Sequence, residues 1–185
     1  FQGDINWVNW IILTLGGFLV TGAANGFNEI IEKDLDKLMR RTMDRPIPSG
    51  KMTTGQALVL SLVMGISGTY LLVGLNFPTG VLSVFSIFLY AFVYTPMKRK
   101  SPIAVFIGAF PGAFPPLIGY FAAFNEPQIS WIPVILFLIQ FVWQFPHFWA
   151  IAWVLDEDYK RAGFRLLPST KQDKASAMIT LLSTI

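Results

Sequence analysis

The sequence predicts an all-α protein, a polytopic transmembrane helical bundle. Three observations predict it: long stretches without charge, a low overall charge content, and basic residues confined to alternate loops. Residues 5–28, 52–97, 101–125 and 127–155 contain no Asp, Glu, Lys or Arg. A helix needs roughly 20 apolar residues to cross the hydrocarbon core. The first, third and fourth stretches each fit one span, and the second fits two. Charged residues make up 14% of the 185 and hydrophobic residues 54%, whereas a typical soluble domain carries about 25% charged residues. Zero cysteines exclude a disulfide framework and any thiolate metal site.

Taken in order, the first span ends where Glu29 restores charge. Asn76-Phe77-Pro78-Thr79-Gly80 supplies the turn between the second and third spans. The fourth carries Pro102, Gly108, Pro111, Gly112, Pro115, Pro116 and Gly119. Either its small residues let a neighbouring helix approach closely, or its prolines bend it to make room for a large ligand. A further helix begins near Ala175, which makes five complete spans and the start of a sixth. The chain opens on Phe1 without a charged signal region and stops at Ile185 inside an apolar run. The expectation is one transmembrane domain over residues 1–185, truncated at both ends.

All 14 Lys and Arg residues fall in three loops. Lys33 to Lys51 follow span one, Lys98-Arg99-Lys100 follow span three, and Lys160 to Lys174 follow span five. The alternate loops, near Asn76 and at 125–129, have none. The positive-inside rule makes the three basic loops cytoplasmic. Trp7, Trp10 and Trp131 then sit at the outer interface, where amphipathic rings are favoured. The net charge of +3 is accounted for by topology, and no nucleic-acid partner is implied.

The chemistry concentrates in the run from Asn28 to Pro46. It continues span one, and the pattern predicts a helix at least to Met39. At about 100° per residue, Asn28, Glu32 and Asp36 drift only about 80° around the axis and share one face. Oxygen side chains stacked in this way repel one another unless a cation lies among them, and hard oxygen donors beside phosphate are what Mg²⁺ requires. Arg41 and Arg45 follow within reach, with a fork suited to phosphate oxygens. The competing reading is a hydrated helix end with ion pairs such as Glu29 to Lys33. Asp34 lies off the shared face, nearer Arg41, and reads as a salt-bridge partner. Tyr94, Lys98 and Arg99 would add neutralising charge. Asp156, Glu157, Asp158 and Tyr159 form a candidate second acidic face. Paired acidic faces with bases between them suit the ionisation of an allylic diphosphate. His147, the single histidine, lies inside the membrane end of span five among Trp143, Gln144, Phe145, Phe148, Trp149 and Trp153. It is either a functional intramembrane group or a neutral helix-packing contact.

Asn28-x-x-x-Glu32-x-x-x-Asp36 resembles the first acidic motif of the UbiA-type intramembrane prenyltransferases. The longer run through Met39-x-Arg41-Thr42-x-x-Arg45-Pro46 is similar to the branch of that family that farnesylates protoheme IX. So are Tyr94-Thr95-Pro96-Met97-Lys98-Arg99, the stretch from Gly108 to Gly119, Pro146-His147-Phe148-Trp149-Ala150, and Asp158-Tyr159-x-x-Ala162-Gly163-x-x-x-Leu167-Pro168. The resemblance implies about nine membrane helices around a central cavity, Mg²⁺ as cofactor, and farnesyl diphosphate and heme B as substrates. A vinyl group of heme B is farnesylated and water adds to give heme O. That product passes to heme A synthase or to terminal oxidase assembly, the implied partners besides the lipid bilayer.

Carried over by motif, Asn28, Glu32 and Asp36 hold the metal and diphosphate, with Asp158 in the second acidic motif. Arg41, Arg45, Tyr94, Lys98 and Arg99 bind the diphosphate; His147, Trp143 and Trp149 are candidate heme contacts by extrapolation beyond the motif. The implied location is the bacterial inner membrane. Two departures stand out. Glu32 occupies a place where the wider family often has Asp, and the second motif lacks an acid four residues away because Val154 and Ala162 stand there. Rival readings are a quinone precursor or other aromatic ring as acceptor, a Mg²⁺-binding transporter, or a non-catalytic assembly subunit. The transporter is disfavoured because Glu32, Asp36 and Asp158 lie at one membrane face, whereas coupling-ion sites tend to lie near the midplane.

Overall fold

A computed structural model describes residues 6–124 and 130–184. Residues 125–129 lie outside these, as do residues 1–5 and 185.

Helix α1, Trp7–Asp36, begins where the Asn6 side-chain oxygen accepts the Val8 and Asn9 N–H groups, each at 3.1 Å. Its 30 residues rise about 45 Å. That exceeds a hydrocarbon core of about 30 Å, so the acidic last turns emerge at the membrane surface. Helix α2, Thr54–Leu75, opens with a capping box between Thr53 and Gln56. Asn76 ends it and at once caps α3, Phe77–Phe88, accepting the Thr79 N–H at 3.0 Å. The connection is therefore one residue, where a five-residue turn was expected. Asparagine can serve both caps, and Pro78 needs no N–H partner in the first turn.

After Phe88 the backbone widens into a π-turn, Leu89–Tyr94, and then tightens into a short α4, Thr95–Met97. Pro96 has no N–H to give and its ring crowds the carbonyl four residues back. A π-turn is a common way to absorb such a misfit. Helix α5 spans Ile103–Ala122, α6 Trp131–Val154, α7 Asp156–Arg161 and α8 Lys174–Leu182. Among the described residues, five helical runs are long and apolar enough to cross a membrane: α1, α2, Phe77–Met97, α5 and α6. The chain is an all-helical integral membrane protein.

Helices α1 and α2 pack along each other, α3 lies against both, α5 against α3, and α6 against α5. At Gly68 an added Cβ would stand 2.9 Å from the Val20 nitrogen and 3.0 Å from the Gly16 carbonyl oxygen. Backbone cannot swing aside as a side chain can. Gly68→Val should therefore destabilise the α1–α2 pair by roughly 1–3 kcal/mol, read as a lower Tm in detergent. Gly74→Val is the control, since nothing lies within 4 Å of its Cβ position.

One expectation about α1 is corrected. The helix ends at Asp36 and does not reach Met39. Met39 turns inward and is buried with Tyr94, Val105, Phe164 and Leu167. The Thr42 hydroxyl donates to the Asp36 carbonyl at 3.0 Å, covering one of the helix's last acceptors. The loop then folds back, and the Ile47 N–H donates to Glu29 Oε1 at 2.9 Å. That bond, not the expected pair with Lys33, is where the Glu29 carboxylate goes.

Candidate active site

The shared face at the end of α1 forms one wall of a pocket. Asn28, Glu32 and Asp36 are all buried, Asp36 completely. With Arg41, Arg45, Tyr90, Tyr94, Lys98, Phe148 and Tyr159 they line a space of about 200 Å³. Each acid meets a base. Lys98 Nζ lies 2.6 Å from Glu32 Oε2, and Arg45 Nη1 lies 2.9 Å from Asp36 Oδ2. The other oxygens, Glu32 Oε1 and Asp36 Oδ1, are buried with no hydrogen-bond partner. An unpaired buried acceptor is costly, so these two atoms mark where a cation is wanted.

Lys98 is enclosed, 6% exposed. Its ammonium lies 5.1 Å from the ring centres of both Tyr94 and Phe164, an arrangement that favours a desolvated cation. Burial pushes its pKa below the ordinary lysine range, and the Glu32 carboxylate pulls the other way. The third basic loop holds Phe164 in place. Gly163 adopts a positive φ of 71°, which glycine allows, and the next residues dock on the second loop through Arg165 N–H to Lys98 O at 2.8 Å. Tyr159 closes the rim, and burial raises its phenol above the ordinary value while Arg41 opposes this.

The donor set fits Mg²⁺. Among the described residues no group of three His, Cys, Asp or Glu is gathered for a metal, so the site offers two carboxylates and an amide. Mg²⁺ binds through one or two carboxylates and completes its shell with water and substrate phosphate.

Tyr90 and Phe148 also line a second, larger cavity of about 470 Å³, so the two spaces adjoin. Its walls are mostly apolar and include Gly17, Phe18 and Val20 of α1 with Pro111, Pro115 and Gly119 of α5. That volume falls in the usual range for small-molecule sites, about 300–1,000 Å³. Of the two readings of the proline-rich span, close approach through small residues is seen. Gly112 takes the Gln144 amide, whose Nε2 donates to the Gly112 carbonyl at 3.1 Å, while Pro111 and Pro115 line the cavity.

Other expected site residues lie elsewhere. Arg99 is exposed and outside the pocket lining. Asp158 is also outside it, accepting the Arg41 backbone N–H at 3.4 Å and standing 3.7 Å from Arg161. Asp156 pairs with Lys160. Asp34 pairs with Lys37, not Arg41, at 3.1 Å. His147 stacks on Trp143 with ring centres 4.4 Å apart, both exposed and outside the two cavities. Trp149 packs against the core, its buried indole N–H unpaired. The sequence reading gave no part to Thr95, Tyr90 or Phe164. Thr95 stood inside a quoted motif, but only the π-turn shows what it touches.

Sequence comparison accords with this geometry. The model of the UbiA prenyltransferase family matches residues 1–185. The chain belongs to that family. Among curated UbiA-family relatives, a protoheme IX farnesyltransferase of Cytophaga hutchinsonii is 51% identical over 184 residues, 99% of this chain and 63% of that protein. One from Flavobacterium psychrophilum is 50% identical, covering 95% of this chain and 58% of that protein. One from Listeria monocytogenes is 44% identical, covering 89% and 54%. The chain thus spans about 60% of the length of the first two. A solved structure of digeranylgeranylglyceryl phosphate synthase superposes with a TM-score of 0.73 at 22% identity, over 97% of this chain and 62% of that one. At that identity the likeness bears on the fold alone, and the fold is that of a UbiA-type enzyme.

Proposed function

We propose that the full-length protein transfers the farnesyl group of farnesyl diphosphate to a vinyl group of protoheme IX, giving heme O. The observation that carries the proposal is the pair of unpartnered buried oxygens, on Glu32 and Asp36. Their residues line, with Lys98, Arg45 and Arg41, a polar pocket that adjoins an apolar cavity. A diphosphate on a hydrocarbon tail needs both surroundings at once. The relatives' names supply the acceptor, and one transmembrane prenyltransferase domain over residues 1–185 accords with the family match.

Mg²⁺ held by Asn28, Glu32 and Asp36 would draw charge toward the departing diphosphate. The chain's own groups do the rest. Lys98 and Arg45 are already inside the pocket and need only turn from carboxylate to phosphate, which stabilises the leaving group where its charge grows. Arg41 stands on the same wall. Tyr90 and Phe148 line both spaces, where aromatic rings suit a passing allylic cation. In this reading the mouth faces the cytoplasm, which the positive-inside rule supports through the basic loops around it.

The test is heme extraction from a strain lacking its own heme O synthase and carrying the full-length protein, with products identified by mass. Heme O should accumulate with the wild type and fall at least about 100-fold with Glu32→Gln. No heme O from a folded wild type would drop the heme acceptor and direct attention to aromatic quinone precursors.

A further inference from the structure

Asn28 stands deepest of the three residues on the shared face, and its amide can face the pocket with either of two atoms. An NH2 would repel a cation, whereas a carbonyl oxygen would bind one. Shape alone does not decide between them, because the two ends of an amide are nearly isosteric. The neighbours do.

Thr95 Oγ1 lies 2.8 Å from the Tyr90 carbonyl oxygen and 3.0 Å from Asn28 Nδ2. A carbonyl only accepts, so the single hydroxyl hydrogen of Thr95 must point at Tyr90. Toward Asn28 the same oxygen has only lone pairs left, and the atom it meets must be the nitrogen. The second Nδ2 hydrogen goes to Glu32 Oε2 at 2.8 Å, again an acceptor. Both amide hydrogens are thus consumed inside the protein, and Oδ1 is left with no donor among the described residues. Tyr90 belongs to the π-turn, whose carbonyl also takes the Thr95 N–H across five residues. The widened turn and the hydroxyl together fix the direction of the chain of bonds.

We infer that Thr95 is a positioning residue that turns the Asn28 amide oxygen toward the pocket. Asn28 Oδ1, Glu32 Oε1 and Asp36 Oδ1 then make an all-oxygen set on three successive helical turns. The inference rests on the metal reading of this pocket, and the test separates the two.

Two measurements on the full-length protein in detergent decide it. The first is Mn²⁺ binding in the presence of inorganic pyrophosphate, followed by electron paramagnetic resonance. The second is hydrogen exchange of the Asn28 side-chain amide, assigned from asparagine-selective ¹⁵N spectra against Asn28→Asp. In the wild type both Nδ2 hydrogens should be protected. Thr95→Val, which keeps shape but removes the hydroxyl, should unprotect one of them and weaken Mn²⁺ binding about 10- to 100-fold, the usual cost of losing a partner that orients a ligand. Thr95→Ser should restore both within about twofold, which a merely structural role for the methyl group would not allow. Mn²⁺ affinity lost in Glu32→Gln but unchanged in Thr95→Val would overturn the role of Thr95 and leave the metal reading standing. A wild type that binds no Mn²⁺ overturns the metal reading, and the inference with it. Should Thr95→Val not fold, unprotected Asn28 hydrogens in the wild type still sink the inference.

Discussion

Asp36→Asn in the full-length protein should cut the proposed farnesyl transfer by at least about 100-fold, and by as much as about 1,000-fold. The substitution is nearly isosteric, so the effect is electrical. Asp36 is wholly enclosed, one of its oxygens pairing with Arg45 at 2.9 Å and the other unpaired. Asparagine removes the negative charge and replaces one acceptor with a donor. Folding should survive, because Arg45 is about a third exposed, with 32% of its side chain reaching solvent, and can turn to water. Steady-state rates against farnesyl diphosphate, with thermal unfolding alongside, separate the two. A loss smaller than about fivefold would remove Asp36 from the reacting machinery and leave Arg45 a structural partner.

Lys98→Met should be the most damaging single change to stability, at about 3–5 kcal/mol. Both ends of the Lys98–Glu32 pair are nearly enclosed, at 8% and 5% side-chain exposure. Removing the lysine strands a carboxylate with neither water nor counter-charge. Methionine keeps the stem packed against Tyr94 and Phe164, so lost volume is not the cause. The companion variant Glu32→Gln with Lys98→Met should regain most of the stability and none of the activity. Denaturant or thermal unfolding of the two proteins decides the matter. Equal stability would mean that the pair is not electrostatically coupled.

Much of this was legible in the residues, for reasons that can be named. The helical period puts Asn28, Glu32 and Asp36 on one stripe whatever the rest of the chain does, and the same geometry set Asp34 apart. Five spans could be read because lipid tolerates no charge along a helix, which leaves a mark at every position. The rest depended on contacts far apart in sequence. Where α1 stops is decided by Met39 finding a place beside Phe164 and Leu167, residues more than a hundred positions away. The part played by Thr95 depends on a carbonyl turned by the π-turn, which no local pattern announces. His147 drew notice because an ionisable group in a membrane helix is expensive; the sequence left its role open, and the structure stacks it on Trp143, outside the lining of both cavities.

The internal pairing of acids and bases carries a consequence for how the protein is made. Lys98 against Glu32 and Arg45 against Asp36 balance both buried carboxylates, so that only the charge of Arg41 is left over in the pocket lining. A newly inserted chain can therefore close this end of the bundle before any substrate or ion arrives, without a naked cluster of like charges at the edge of the bilayer. On the proposed function, loading would be an exchange of partners in which Lys98 and Arg45 turn from carboxylate to phosphate and leave Glu32 and Asp36 free to hold a cation. Were that phosphate group to leave, the same couples would re-form, and this end of the bundle would recover its own charge balance.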